Sequence, residues 1–362
     1  MRRRIMVAAL GVLVLLGGCS IGDIRRPPPR PPTPSPQDQI PQPDEVRRAS
    51  APVPPDYALR NVEFVNQSRG YALFSRCGPR TASLPAEPCA AAVVRTDDGG
   101  RSWHQVYHPH PEGRDHQMYA NSAALFLYVD GDGWYMSRDA GVHYEHSAAV
   151  PTAYRAELGE FQVCCEPDKV QRVVRFDGDR MTPTKGQPAV SDLRTAGSSL
   201  HWVFAVGIAD VGRPVAAVSS DRGATWRDVP VAGFSGVVAV ARIVVDHDGT
   251  YAWLVGQPDL LSWPALWFFD GQGWRPVAAT GHPEQFTSAV TLEDASLAVT
   301  TPDGGPGIVA GGVFQKVDWP IGSCYLRLLA DGTLFCSSGE VSWLGIGKAA
   351  DRRWVKVLLG GE

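Results

Sequence analysis

Short runs of hydrophobic residues alternate with polar turns along most of this chain. In the first such group, residues 62–65, 71–75, 91–96 and 103–107 are β-rich runs bounded by Gly, Asn, Asp or Pro. The same order recurs later, where two apolar runs lead into a polar turn and a third follows it. This pattern is typical of short, half-buried strands. No stretch of ten or more residues fits a helix better than strand and turn, so the pattern predicts an all-β protein.

A longer period is superimposed on these strands. Bulky side chains that follow turns recur near positions 103, 144, 181, 226, 274, 314 and 354. The spacing is close to the roughly 40 residues of a four-stranded blade. Residues 176–183 align position by position with residues 269–276, which supports the weaker unit near Met181. We therefore predict a seven-bladed β-propeller over residues 56–362. Because the last unit has its own fourth strand near Trp354, ring closure is not expected to use an N-terminal strand.

The first residues carry a different pattern. Arg2, Arg3 and Arg4 precede an apolar run at residues 5–16, which is too short to span a bilayer as a stable helix and has the order of an export signal. The run ends in Leu16-Gly17-Gly18-Cys19, which resembles the lipobox of bacterial lipoproteins. The resemblance implies removal of residues 1–18, acylation of Cys19 and attachment to a membrane outside the cytoplasm. An ordinary secretory signal with an incidental cysteine is the alternative.

Residues 19–55 are rich in Pro, Arg, Gln and Asp, with little to bury. This composition predicts a linker, because proline-rich chain favours an extended polyproline II conformation. Such a linker would hold the folded domain away from a membrane. Its PxxP-like stretches could instead be ligands for a partner domain. No second change of composition follows residue 56.

Three turns share one sequence pattern, and we call them the aspartate turns (residues 96–103, 137–144 and 219–226). The third turn is a complete S-x-D-x-G-x-T-W, with Ser219, Asp221, Gly223, Thr225 and Trp226 at the pattern positions. The equivalent positions are Thr96, Asp98, Gly100 and Trp103 in the first turn, and Ser137, Asp139, Gly141 and Tyr144 in the second. The carboxylate is suited to accept turn amides, Gly to supply a positive φ, and the aromatic ring to anchor the hairpin. The pattern resembles the Asp-box of sialidase-type (BNR) β-propellers. The resemblance implies a fold rather than a ligand, because the motif is structural.

The chain has six cysteines besides Cys19, and an exported chain usually pairs them as disulfides. Closeness in sequence favours Cys77 with Cys89 and Cys324 with Cys336. Each pair would join two neighbouring strands of one blade. The adjacent residues Cys164 and Cys165 remain, and a bond between them would be either a strained ring at a ligand site or redox switch, or an inert clamp on a turn. Because no CxxC pair occurs, we predict no metal site.

The Asp-box resemblance places these turns opposite the ligand-binding mouth. Candidate binding residues then come from the connections between blades and between the second and third strands, and we select Trp263, Trp319, His110 and Arg114. The nearby group of His108, His110 and His116 around Asp115 is interpreted either as a metal or acid–base cluster or as a polar exposed loop. The Trp263 loop is interpreted either as a binding surface or as a lid on the next blade.

Function is less constrained by the sequence. The formal net charge of −4 without a basic stripe argues against nucleic acid. We expect a monomer without a cofactor that binds a protein or glycan partner at the cell envelope. The alternative is a glycoside hydrolase related to exo-sialidases, whose mechanism needs three arginines, an aspartate, and a tyrosine with a glutamate. The early Arg-Ile-Pro signature of sialidases is absent, so no catalytic residue is assigned.

Overall fold

We describe a computed structural model of the chain over residues 41–78, 88–156, 159–165, 170–177, 180–245, 250–339 and 341–361. The predicted signal peptide, Cys19 and most of the predicted linker lie outside these ranges. Within them, no helix is both long and apolar enough to cross a bilayer.

The described strands form seven small sheets. The first contains β2 (Ala58–Phe64), β3 (Gly70–Arg76), β4 (Cys89–Thr96) and β5 (His104–Val106), with β6 (Glu112–Gly113) paired to β4; the second contains β7 (His116–Ala120), β8 (Leu125–Val129), β9 (Gly133–Ser137) and β10 (Glu145–Ser147). Helix α1 (Thr152–Ala156) then precedes the third sheet, β11 (Phe161–Cys165), β12 (Gln171–Asp177) and β13 (Arg180–Pro183).

The fourth and fifth sheets are four-stranded, and a short 3₁₀ turn (Asp210–Gly212) lies within the fourth. They contain β14 (Leu193–Ser198), β15 (Val203–Ala209), β16 (Arg213–Ser219) and β17 (Arg227–Val229); and β18 (Val240–Val245), β19 (Ala252–Gln257), β20 (Ala265–Phe269) and β21 (Trp274–Val277). The sixth contains β22 (Ser288–Thr291), β23 (Leu297–Thr300), β24 (Gly307–Ala310) and β25 (Val313–Lys316). The seventh contains β26 (Tyr325–Leu328), β27 (Leu334–Ser338), β28 (Val341–Lys348), β29 (Asp351–Gly361) and β1 (Glu45–Ala51).

Consecutive sheets pack side by side, and their first strands surround a common axis. An axial cavity is lined together by residues of β7, β18, β22 and β26. Buried aliphatic and aromatic side chains fill the spaces between neighbouring sheets, including Phe204 and Trp267 between the fourth and fifth. The all-β, seven-bladed β-propeller that the sequence predicts is therefore confirmed.

Ring closure differs from the prediction. Strand β1 pairs in parallel with β29, so the last sheet does include an N-terminal strand, and the propeller begins inside the segment predicted as linker. The sequence conceals this strand because its buried positions include the polar Arg47. Arg47 is satisfied by donating to the Gly99 carbonyl oxygen at 2.6 Å and by an ion pair with Glu45 at 2.8 Å. Hydrogen bonds from Arg47 hold the pKa of Glu45 at about 2.

The third blade also departs from four strands. Its described sheet has three strands, and Tyr154 of α1 contributes to the axial cavity where other blades contribute a first strand. Met181 is 39% exposed, so it is not the buried anchor that the 40-residue period predicted. The anchors Trp103, Trp274, Phe314 and Trp354, in contrast, are buried.

The three aspartate turns share one hydrogen-bond arrangement. The hydroxyl oxygen of Ser219 accepts the buried amide of Gly223 at 2.8 Å, and the same bond runs from Gly100 to Thr96 (2.8 Å) and from Gly141 to Ser137 (2.7 Å). The aspartates accept amides near the surface instead, as Asp221 does from Thr225. The carboxylates therefore accept turn amides as expected, whereas the buried glycine amide is satisfied by the hydroxyl. All three glycines have positive φ, 81° at Gly223.

Two disulfides are present where closeness in sequence predicts them. Cys77–Cys89 joins the end of β3 to the start of β4, and Cys324–Cys336 joins the start of β26 to β27. The side chain of Cys165 lies outside the described part of the structure, so the Cys164–Cys165 bond stays a prediction.

We expect Ser219→Ala to lower the free energy of unfolding by about 1–3 kcal/mol, because it leaves the buried Gly223 amide without an acceptor. Ser219→Thr is the matched control, since Thr96 occupies the equivalent position of another turn, and it should stay within about 0.5 kcal/mol of wild type. Denaturant titration of both variants measures the difference. Equal losses in the two variants would contradict the role of the hydroxyl.

Candidate functional site

The propeller has two distinct faces. Each first strand ends in the turn that leads to the second strand, and this turn lies beside an aspartate turn where the blade has one. In the first blade, the Gly99 amide donates to the Ser68 carbonyl oxygen at 2.7 Å. We call this side the turn face. The opposite side carries the connections between blades and between second and third strands, and we call it the connection face.

Trp263 lies on the connection face in a groove formed by the fifth blade and the connections that precede and follow it. Its ring stacks on His282 with centroids 4.5 Å apart, and its amide donates to the Glu284 carbonyl oxygen at 2.9 Å. The groove has a volume of about 400 Å³, and its walls include Phe234, Trp267 and Pro276. Trp263 is partly buried and also packs on the apolar core below it. Both interpretations of its loop therefore hold, because it covers the next blade and still lines a groove.

Exposed aliphatic side chains border this groove. Leu260 is 69% exposed and Leu261 63%, and both precede Trp263 in the same connection. The neighbouring connection carries Val237, 58% exposed, and Phe234, whose ring lies 5.9 Å from that of Trp267. Backbone hydrogen bonds tie these connections together: Val238 donates to Gly212 and Ala239 to Gln257, both at 2.8 Å, and Phe286 donates to Leu261 at 2.7 Å. We call Val237, Phe234, Leu260, Leu261 and Trp263 the apolar ridge.

Two of the other predicted binding residues lie elsewhere. Trp319 is only 3% exposed, donates its indole N–H to the Ala350 carbonyl oxygen at 3.0 Å and packs on Trp354. Its assignment to a binding face is therefore wrong. Arg114 is exposed, and its guanidinium group pairs with Asp130 at 3.3 Å. Neither residue contacts Trp263, so the sequence-predicted binding set does not form one site.

The predicted histidine cluster is more buried than an exposed loop allows. The rings of His108 and His116 lie 5.2 Å apart, and both side chains are buried. Nε2 of His108, Nδ1 of His110 and Nδ1 of His116 are buried and have no hydrogen-bond partner among the described residues. Burial, with smaller contributions from His116 and His110, lowers the pKa of His108 to about 3. The polar-loop interpretation is therefore wrong, although no group of three or more His, Cys, Asp or Glu is placed to hold a metal ion among the described residues.

Three arginines on first strands were missed by the sequence reasoning. Arg60 and Arg194 occupy equivalent β-bulges, each with four ladder pairs between the bulge and the end of its strand. Arg242 is the residue of the fourth pair from the end of β18. All three are exposed and belong to the first, fourth and fifth blades. The available signal was an arginine directly after an aliphatic residue, at Leu59, Leu193 and Ala241.

A second polar feature joins the first and last blades at the turn-face end of the axis. Nη2 of Arg327 on β26 donates to the Glu63 carboxylate on β2 and, at 3.4 Å, to the Phe64 carbonyl oxygen. Burial raises the pKa of Glu63, although Arg327 and Asn61 both act to lower it. This pair lies beside two axial cavities of about 440 and 460 Å³.

No family model matches the chain, and no curated protein matches it. Among solved structures it is similar to Kluyveromyces lactis Hsv2, with 11% identity over 83% of this chain and 98% of the other and a TM-score of 0.41. It is also similar to YCF48 bound to D1 peptide (13% identity, 84% and 83%, TM-score 0.31) and to the Trypanosoma rangeli sialidase in complex with the inhibitor DANA (12%, 73% and 54%, 0.31). Similarity at this level assigns neither a ligand nor an activity to this chain.

We expect acid to destabilise the propeller through the histidine cluster. In the unfolded chain His108 takes up a proton near the ordinary pKa of 6.5, whereas in the folded chain its pKa is about 3. The contribution of His108 to stability is therefore complete above pH 6.5 and is lost as the pH falls toward 3, by about 1.4 kcal/mol per pH unit.

His108→Gln should flatten the dependence of the unfolding free energy on pH between 6 and 4. The control His104→Gln, which replaces an exposed histidine on β5, should leave it unchanged. The two profiles are obtained by denaturant titration at each pH. If the profiles of His108→Gln and wild type have the same slope, the cluster does not titrate as described.

Proposed function

We propose that this chain is a membrane-anchored propeller outside the cytoplasm whose connection face binds a protein partner. The apolar ridge carries the proposal. Single exposed apolar side chains are common, but four in adjacent, hydrogen-bonded connections, beside the partly buried Trp263, form the kind of patch that marks an interaction site. A groove lined by Trp263 and Trp267 suits an aromatic or aliphatic anchor of the partner.

The composition of the ridge favours a protein over a glycan. Leu260, Leu261 and Val237 offer aliphatic surface and no hydrogen-bonding side chain to a sugar hydroxyl. The rim supplies polar groups in the form of His282 and the carboxylate of Asp259, which accepts the Ser262 hydroxyl at 2.7 Å. An apolar centre with a polar rim is the usual composition of a protein interface.

We further propose that the three aspartate turns are Asp-boxes. The shared hydrogen bonds from Gly100, Gly141 and Gly223 to a Ser or Thr hydroxyl support this assignment, in addition to the sequence pattern. In this proposal the boxes stabilise hairpins of the turn face and take no part in binding.

A second candidate function, a glycoside hydrolase related to sialidases, is favoured by one observation. Arg60, Arg194 and Arg242 lie within one residue of the same level on three first strands, and three arginines are what a sialidase uses to bind a substrate carboxylate. Tyr325, 70% exposed on β26, adds a phenol to the first strands. Turnover of an aryl sialoside that Arg242→Ala abolishes would place this function ahead of protein binding.

We expect a photoreactive phenylalanine analogue at Leu261 to cross-link one protein partner in the membrane fraction. Leu200 is the matched control, since it is an equally exposed leucine (67%) in a turn of the opposite face. The cross-link at position 261 should disappear in Trp263→Ala, provided that variant keeps its melting temperature. Mass spectrometry of the adduct identifies the partner. Identical adducts from positions 261 and 200 would refute binding at the ridge.

We expect Cys19→Ala to abolish both fatty-acid labelling and membrane association. The order of Arg2–Arg4, the apolar run and Leu16-Gly17-Gly18-Cys19 supports acylation of this thiol. Metabolic labelling with an alkyne fatty acid, followed by fractionation of cells, tests the expectation. Release of unlabelled wild-type protein into the medium would contradict the lipoprotein proposal.

A further inference from the structure

The groove beside Trp263 has walls made largely of flat rings. Its exposed or half-exposed lining residues include Phe234, Trp263, Pro276 and His282. No Asp, Glu, Lys or Arg side chain belongs to its described lining. Grooves that bind proline-rich segments are lined in this way, because prolyl rings pack well on flat aromatic surfaces. The groove therefore offers the kind of surface that prolyl rings pack on.

Two side chains of the groove carry hydrogen-bond donors that the described residues leave unused. These donors are the accessible indole N–H of Trp263 and the hydroxyl group of Thr280. A segment in the polyproline II conformation can supply acceptors, since it has no internal hydrogen bonds and its backbone carbonyl oxygens are free. A helix uses those oxygens for its own hydrogen bonds. The unused donors therefore favour an extended, proline-rich segment over a helical one.

Three carboxylates lie close to Trp263. Asp259 precedes Trp263 in the same connection, and the Glu284 carbonyl oxygen accepts the Trp263 backbone N–H at 2.9 Å. The Asp303 carboxylate accepts the backbone N–H of Glu284 at 3.1 Å. All three acidic residues are exposed, and none of their carboxylates forms an ion pair with another described residue. A segment that carries a cation beside its prolines therefore meets opposite charge here.

We propose that the partner presents to this groove a proline-rich segment in the polyproline II conformation, with a basic residue beside its prolines. This inference rests on the proposed function, because it concerns the partner of the same face. The prolyl rings pack on Phe234 and Trp263, and a carbonyl oxygen of the segment accepts the indole N–H. The cation lies next to Glu284. Asp259 and Asp303 already accept backbone amides of the connections, which leaves the Glu284 carboxylate free to bind it.

Calorimetric titration of the full-length protein with synthetic peptides tests this inference. The probe is decaproline ending in two arginines, and it should bind about tenfold more tightly than decaproline ending in two glutamates, because only the arginines meet opposite charge. High salt should reduce this difference. A helical peptide of leucine and lysine with the same charge should bind about tenfold more weakly than the probe. Equal binding of the helical peptide, or no binding of the probe, would overturn the inference.

Two variants test whether the probe binds in this groove. Trp263→Phe keeps an aromatic wall without the indole N–H and should weaken probe binding about fivefold, because one hydrogen bond is lost. Glu284→Gln should weaken it about threefold, as expected for an exposed ion pair. The control Glu145→Gln changes an exposed glutamate on β10 of another blade and should leave the affinity unchanged. Unchanged probe binding in both Trp263→Phe and Glu284→Gln would exclude this groove.

The photo-cross-link at Leu261 separates this inference from the proposed function. The partner segment attached at that position should contain consecutive prolines and a basic residue. A specific cross-link to a segment without prolines would overturn the inference and leave protein binding at the ridge in place. Binding of the probe as expected, without any specific cross-link in the membrane fraction, would instead contradict the proposed function and leave the preference of the groove in place.

Discussion

The contact between the first and last blades is the constraint on which the rest of the propeller depends. Blades that pack only on their sequence neighbours leave two exposed ends unless the ring closes. Here the fully buried ring of Phe64 packs on that of Phe335, with centroids 5.8 Å apart. The Arg327–Glu63 ion pair joins the two first strands, and the backbone N–H of Gln67 donates to the Asp331 carboxylate at 2.8 Å. Strand β1 adds a covalent link, because it comes from the N-terminal side of the first blade and pairs with the last strand. Closure therefore uses both apolar packing and chain connectivity.

Closure also shapes the places where ligands can bind. Since first strands converge on the axis, polar residues on those strands are brought together from distant parts of the sequence. Arg60, Arg194 and Arg242 become comparable only once the ladders are aligned, and Glu63 meets Arg327 although 264 positions separate them. The connection face works differently, because its apolar ridge comes from loops that lie close in sequence. Residues that meet at the axis are therefore distant in sequence, whereas the residues of the apolar ridge are close in sequence.

What the sequence could predict follows from the range of the interactions involved. Aspartate turns, the two disulfides and the blade period are local, and each is visible within about 40 residues. The errors concern features set by distant contacts. From the sequence Trp319 resembles an exposed loop aromatic. It is buried because its ring packs on Trp354 of β29 and its indole N–H donates to the Ala350 carbonyl oxygen. Strand β1 resembles linker in the sequence because it contains the polar Arg47 at a buried position. This position is satisfied by the hydrogen bond from Arg47 to Gly99, which belongs to a different blade and cannot be inferred from the local sequence. Met181 fits the period, yet 39% of its surface is exposed on β13.

The histidine cluster shows why exposure cannot be inferred from polarity alone. His108 and His116 lie in a segment with the composition of a surface loop, yet β6 within that segment pairs with β4 beside the Cys77–Cys89 bond. Pairing holds the segment against the first blade and forces both rings out of water. In both rings one nitrogen has no hydrogen-bond partner within the described ranges, and burial favours the neutral form because it lowers the pKa of both histidines. We therefore expect the connection between the first two blades to be more stable near neutral pH than in acid.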